Sequence, residues 1–290
     1  MIYIFYGPTG SGKTDLAIDQ ILNNRIKSNR DGEVISADSR QVYIGMDVGT
    51  NKDRNKLIKN NIKYHLIDIL TPDKKFSVWQ WNQLAKEKIQ EIISRGNDIC
   101  IVGGTGLYID SLLYPREYLS FGGVESLSKE SKYNTDNLSI EEIQKQFAGD
   151  FNQEYELLNS SERLNKRRLL NNYLKLKLKE SPKLNNYVLE KGSFKLVTPE
   201  YTSEELYKKI NNRVEKMFEE GFIDEVRYLI ERGYKDAETM NGSGYKEIKE
   251  YLLEKNESVE ELNNIKEEIK KSHRNYAKRQ ITWFKKYVSL

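Results

Sequence analysis

Residues 7–14 read Gly-Pro-Thr-Gly-Ser-Gly-Lys-Thr and follow directly on the apolar run Ile2-Tyr3-Ile4-Phe5-Tyr6. This is a phosphate-binding loop of the form G-x-x-x-x-G-K-[ST], and its place constrains the fold as much as the chemistry. A strand must deliver Gly7 and a helix must begin near Lys13. Only then do the backbone N–H groups turn inward at the helix N-terminus, where the dipole favours an anion. Gly7, Gly10 and Gly12 let the backbone wrap closely, with Pro8, Thr9 and Ser11 completing the loop. Lys13 adds a positive charge, and Thr14 offers a hydroxyl to Mg²⁺. The loop is the nucleotide-binding signature of ATP-binding chains, and it predicts a di- or triphosphate ligand without saying which.

The rest of the chain supplies the matching fold. Glu33–Ala37 reads as a second strand ending at Asp38, Tyr64–Asp68 as a short third apolar run, and Asp98–Val102 as a buried strand running into Gly103-Gly104-Thr105-Gly106. A helix is expected over 78–95, capped by Ser77, with Trp79, Leu84, Ile89, Ile92 and Ile93 at helical spacing and Gly96 at its end. Alternating strands and helices imply an α/β fold, a P-loop doubly wound and mostly parallel sheet. Ligands of such sheets bind at the carboxyl ends of strands, so the loop at 7–14, Asp38 and Thr105 are expected at one edge. Between about 116 and 192 the pattern becomes helical and polar, so the expected organisation is a catalytic core of 1–115 plus 193–290 with an inserted helical domain at 116–192. Phe194–Val197 reads as a return strand, followed by C-terminal helices at about 203–232, 243–254 and 258–287.

Net charge is only +3, but its distribution is uneven. Residues 163–179 and 270–286 each hold several lysines and arginines and no acid, which suits anionic partners. Cys100 is the single cysteine, which excludes a disulfide or a cysteine-based zinc site. No apolar stretch is long enough to span a membrane, and the start of the chain reads as a strand without a targeting segment, so the expected location is cytoplasmic.

Five further motifs follow in order. They are Asp38-Ser39-Arg40-Gln41-Val42-Tyr43 with Gly45-Met46-Asp47-Val48-Gly49-Thr50, then Gly103-Gly104-Thr105-Gly106-Leu107-Tyr108, then Asn159-x-x-x-Arg163-x-x-x-Arg167. Gly244-Tyr245-Lys246-Glu247 comes next, and the block from Arg274 to Phe284, Arg-Asn-Tyr-Ala-Lys-Arg-Gln-Ile-Thr-Trp-Phe, comes last. With the phosphate loop they resemble the bacterial tRNA dimethylallyltransferases, also called tRNA isopentenyltransferases, over residues 2–287.

The resemblance implies transfer of a dimethylallyl group from dimethylallyl diphosphate to N6 of adenine 37, beside the anticodon of tRNA. It casts the loop 7–14 as the holder of the prenyl diphosphate, Asp38 as the general base, and Thr105 and Arg213 as further catalytic residues beside the leaving group. Mg²⁺ would sit on Thr14. Contacts to tRNA would come from Asp38, Ser39, Arg40, Gln41, Thr105, Arg163, Arg167, Gly244, Tyr245, Lys246, Arg274, Lys278 and Arg279. The reacting adenine must leave its stack, and the Gln41 amide suits an adenine edge. Arg163 and Arg167 are expected at i and i+4 on one helix face, gripping the anticodon arm. Trp283 and Phe284 are expected in the core beneath the basic helix. Lys209 stands where the family commonly carries an arginine, and Asn51-Lys52-Asp53 replaces its usual Ala-Lys-Pro. The working unit is expected to be a monomer. Two other readings compete: a P-loop nucleotide kinase or ATPase, and a relative that prenylates free adenine nucleotide. The latter kind has little or no helical insert.

Overall fold

The computed structural model describes residues 1–114, 139–179, 189, 192–254 and 258–289. The chain divides into two compact units, one of Met1–Phe76, Leu84–Ile109 and Glu190–Leu290, the other of Ser77–Gln83 and Asp110–Leu189.

The first unit is built on strands β1 (Ile2–Tyr6), β2 (Gly32–Ser36), β3 (Tyr64–His65), β4 (Asp98–Gly103) and β5 (Phe194–Val197), in the order β3-β2-β4-β1-β5. Every pairing is parallel. Registers such as Tyr6↔Gly103 and Ser36↔Val102 bring the three central strands to an end at one edge. The connection from β1 leaves toward β2 and that from β4 toward β5, so the crevice where the winding reverses lies between Tyr6 and Gly103. Helices α1 (Lys13–Ser28) and α2 (Arg54–Lys59) bury Ala17, Ile18, Ile21 and Leu57 with Phe5, Val34, Cys100 and Val102 of the sheet. The third apolar run yields a strand of only two residues, because Leu66 and Asp68 adopt φ of 61° and 56° and end the pairing.

Helix α3 (Val78–Ser94) begins at Ser77, whose hydroxyl accepts from Gln80 N at 3.2 Å while Gln80 Oε1 accepts from Ser77 N at 2.8 Å. Its buried stripe is Trp81, Ala85, Ile89 and Ile92, with Ile93 exposed and Trp79 half-buried. The stripe is thus shifted from the expected one, since two of the anchors are Trp81 and a small alanine. Helix α4 (Gly106–Leu113) leaves the end of β4.

The second unit holds α5 (Ile140–Asp150), α6 (Asn152–Glu156), α7 (Ser160–Leu164) and α8 (Lys166–Lys179). Its small core is Ile143, Phe147, Leu169 and Tyr173, where Phe147 meets Tyr155 and Tyr173 at ring separations of 5.5 and 5.6 Å.

The C-terminal part of the chain differs from the expected three long helices. The segment 203–232 is broken into α9 (Ser203–Glu219) and α10 (Phe222–Leu229) by Gly221 at φ 90°, a left-handed turn that a helix cannot contain. A π-helical turn, Ile230–Tyr234, follows. Helices α11 (Tyr245–Glu254) and α12 (Val259–Phe284) complete the unit. Helix α12 is capped by Ser258, whose hydroxyl accepts from Glu261 N, and packs Ala277 against Leu206 and Ile210 of α9.

Candidate active site

A cavity of about 440 Å³ opens in the first unit, among the phosphate loop, the ends of β2 and β4, α9 and α12. Thr9, Gly10, Gly12, Lys13 and Thr14 form its loop side. Gly7, Gly10 and Gly12 sit at φ 140°, 77° and 91°, a run that only glycines tolerate cheaply. No side chain caps α1 at Gly12, so its first amides are left for a ligand. Lys13 Nζ folds back and donates to Pro8 O at 2.7 Å. Burial pushes the Lys13 ammonium down to about 8, partly offset by the opposite charge of Asp38.

Helix α9 presents Lys209, Asn212, Arg213 and Lys216 to the cavity, at spacings of three and four, while Leu206, Ile210, Val214 and Met217 face the core. An Arg213 N–H donates to Thr9 Oγ1, and its Nε is buried with no partner among the described residues. A buried guanidinium donor left unpaired on a cavity wall is costly unless an anionic acceptor arrives. Burial lowers the Arg213 pKa against the pull of Asp38 and Asp53.

Asp38 follows β2 and lines the cavity. Its Oδ1 accepts from Arg40 N at 2.8 Å and Gln41 N at 3.4 Å, the fold of an Asx turn. Oδ2 makes no hydrogen bond among the described residues, so one carboxylate oxygen anchors the turn and the other can take a proton. Thr105 is not on the cavity wall; its Oγ1 accepts from Ser39 N at 3.0 Å and ties β4 to the Asp38 turn. Gly103 must be a glycine, since a Cβ there would lie 2.1 Å from Ala37 O.

The Gln41 side chain, expected to meet an adenine edge, is already engaged. It accepts from Ser36 Oγ at 3.0 Å and donates to Asn51 O at 3.2 Å and Thr50 O at 3.5 Å. The loop it braces is held from beneath by Glu225, which accepts from Asp47 N at 2.7 Å, Val48 N at 2.6 Å and Gly49 N at 3.1 Å, and from the Tyr245 hydroxyl at 2.7 Å. Tyr245 is therefore buried as a support of this loop instead of lying on a tRNA-facing surface. Gly244 adopts φ 89°, and its N–H donates to Glu247. Lys246 is exposed beside Glu250.

Two wall residues, Tyr276 and Gln280 of α12, were not singled out from sequence. Gln280 is buried; it accepts from Thr9 N at 2.8 Å and donates to Gly104 O at 2.8 Å, stitching the phosphate loop to the loop after β4. The available signal was its place on the stripe Ile269, His273, Ala277, Gln280, Phe284, where a lone amide among apolar positions demands buried partners. Burial and the nearby Asp38 push the Tyr276 hydroxyl up to about 12. Asn51 and Asp53 also line the cavity.

The basic positions expected to hold tRNA separate into groups. Arg274 donates to Asn211, and Lys278 lies 5.8 Å from the Tyr207 ring, so both face α9. Arg279 lies on another side of α12, its guanidinium 5.6 Å from the Tyr276 ring. Arg40 is exposed and donates to Thr239 O at 3.3 Å. Phe284 is buried as expected, whereas Trp283 is 40% exposed.

In the second unit, the expected shared face of Arg163 and Arg167 is corrected. Arg163 lies in α7 and Arg167 in α8, and Asn165 between them is extended at φ −99°, ψ 105°. Asn165 breaks the helix because its Oδ1 accepts from Arg168 N at 3.0 Å and starts the next one. Arg163 donates to Leu158 O at 3.0 Å and Glu156 O at 2.8 Å and lies 4.8 Å from the Tyr155 ring, holding its own unit together. The Arg167 side chain lies outside the described residues, as does the stretch 115–138.

Among the described residues, no group of three or more His, Cys, Asp or Glu side chains converges to hold a metal, and no helix is long and apolar enough to cross a membrane. Burial pushes His273 down to about 3, with Arg213 adding to the effect, so it is neutral.

Comparison with known proteins adds independent findings. Residues 41–287 match the family described as IPP transferase. The chain is 39% identical to the tRNA dimethylallyltransferase of Thermoanaerobacter sp. (strain X514), covering 99% of this chain and 89% of that one. It is 36% identical to that of Acetivibrio thermocellus, covering 98% and 88%. A crystal structure of the tRNA isopentenylpyrophosphate transferase of Staphylococcus epidermidis is similar at TM-score 0.63 and 34% identity, over 98% of this chain and 89% of that one. A eukaryotic dimethylallyltransferase structure shares the fold at TM-score 0.75 and 23% identity, over 98% and 69%.

Proposed function

The chain belongs to the IPP transferase family, and we propose that it transfers a dimethylallyl group to tRNA, from dimethylallyl diphosphate to N6 of adenine 37. One observation carries the finer reading: Lys13, Thr14, Arg213 and Asp38 line a single cavity, so anion-binding groups and a carboxylate with one uncommitted oxygen face the same space.

The diphosphate lies on the amides at the start of α1, with Lys13 released from Pro8 and the Arg213 Nε taking an oxygen as acceptor. The N6 lone pair bonds to C1 of the dimethylallyl group as the C1–O bond breaks, and diphosphate departs with that electron pair. The proton lost from N6 passes to Asp38 Oδ2. Charge grows on the diphosphate oxygens as they leave, and the fixed cations stabilise it. Mg²⁺ would be held by the Thr14 hydroxyl, which lines the cavity, together with phosphate oxygens, and it would neutralise part of the leaving charge. Thr105 acts at one remove, by fixing the turn that bears Asp38. All these groups come from one chain, which supports a monomer as the working unit, and a tRNA acceptor is consistent with work in the cytoplasm.

The test is incubation with labelled dimethylallyl diphosphate and tRNA. We expect label on an adenine, and a single-turnover rate lowered by roughly 10²-fold or more in Asp38→Asn with tRNA affinity retained. A rate within threefold of the parent removes Asp38 as base. ADP formation from ATP without prenyl transfer overturns the donor.

A further inference from the structure

We infer that one flank of α12 is a stacking platform for the unpaired tRNA nucleotides beside the reacting adenine, with Trp283 at its centre; this rests on the function proposed above. Tyr276, Arg279 and Trp283 follow each other at spacings of three and four, and Lys286 continues the row in the 3₁₀ turn Lys285–Ser289. The row borders the buried stripe that holds Gln280, and its first member, Tyr276, is a wall residue of the cavity.

Aromatic and cationic side chains alternate along it. The Arg279 guanidinium lies 5.6 Å from the Tyr276 ring, and Lys286 Nζ lies 4.7 Å from the Trp283 ring. Tyr276 and Trp283 are 39% and 40% exposed, although large aromatics on a core-bordering face are ordinarily covered. Trp283 is also fixed in place: a Cβ on Gly106 would lie 2.3 Å from its Cδ1 and Nε1. Its indole edge is therefore seated against the residue that follows Thr105, one turn beyond the contact of Gln280 with Gly104.

A half-open indole one helical turn from the cavity-wall residue Gln280, flanked by cations, matches the chemistry of single-stranded nucleic acid. Bases stack on aromatic faces irrespective of sequence, and the neighbouring cations meet the phosphates. A base stacking on Trp283 takes the position over the ring now held by Lys286 Nζ, and the ammonium turns to the adjoining phosphate. Extruding the target base unstacks its neighbours, and this platform restores one stack.

The experiment uses the full chain and a synthetic anticodon stem-loop with 2-aminopurine placed in turn on either side of the reacting adenine. Binding is expected to quench the probe at one of the two positions. Trp283→Leu should relieve most of that quenching and weaken stem-loop binding roughly tenfold or more, the scale of one lost base stack. Trp283→Phe should remain within about threefold, and pyrophosphate affinity should be unchanged in both. Lys286→Ala should flatten the salt dependence by about 0.7 in log K against log salt. The quenching measurement on the unaltered protein needs no variant to fold. Absence of quenching at both positions, or Trp283→Leu binding within twofold of the parent, overturns the platform while prenylation of the stem-loop leaves the function standing. Prenylation of free adenosine monophosphate with no stem-loop binding overturns both.

Discussion

Replacing Gln280 by leucine or by glutamate separates two roles that one amide performs. Leucine removes the acceptor from Thr9 N and the donor from Gly104 O, leaving both groups unpaired beneath a helix. Each orphaned group costs about 1–3 kcal/mol, and access of cavity water to Thr9 keeps the sum near about 2–3 kcal/mol. In a chain of this size that lowers Tm by about 3–5 °C. Glutamate keeps an acceptor for Thr9 N but sets a carboxylate oxygen against the Gly104 carbonyl, on the wall of a cavity built for an anion. At about 8 Å and an effective dielectric near 20, one charge on another is worth about 2 kcal/mol. Pyrophosphate affinity should thus fall at least about 30-fold in Gln280→Glu and clearly less in Gln280→Leu. Calorimetric titration with inorganic pyrophosphate and thermal unfolding of both variants read the two effects. Because the amide acts through the loops, KM for the prenyl donor should rise more than kcat falls. Equal pyrophosphate affinities in the two variants, or unfolding temperatures unchanged in both, would refute the bridging role.

Two other outcomes follow from the site. Lys13 has a folded pKa of about 8 against 10.5 for the free side chain, so unfolding takes up a proton between these values; the stability contribution present at high pH is lost as pH falls from about 10.5 to about 8. A bound diphosphate wants the charged form, so titration above pH 8 should register proton uptake that disappears in Lys13→Arg, and an identical uptake in that variant would assign it elsewhere. Glu225→Gln keeps the shape but weakens charge-assisted acceptance from the amides of 47–49; we expect a loss of about 2–3 kcal/mol by denaturant unfolding, and no change in stability would mean that the loop holds itself.

The phosphate loop, the parallel strands and the gathering of Asp38 with Lys13 at one sheet edge were legible along the chain, because each depends on spacings of a few residues and on strand alternation. The local signals for Ser77 and Gly96 read correctly for the same reason. What could not be read is which side each residue of a long polar helix presents. The basic block 270–286 looks uniform as a string, yet packing on α9 turns Arg274 and Lys278 one way and leaves Arg279 and Trp283 on another side. Gln41 and Tyr245 looked like ligand contacts, but Ser36 and the carbonyls of Thr50 and Asn51 claim Gln41, and Glu225, which also holds the amides of 47–49, claims Tyr245. Arg163 and Arg167 kept helical spacing on paper; a side-chain acceptor on Asn165 competed with the backbone and broke the helix between them. Short-range geometry follows from residue type and spacing, whereas the partner of a buried polar group is set only when remote segments pack together.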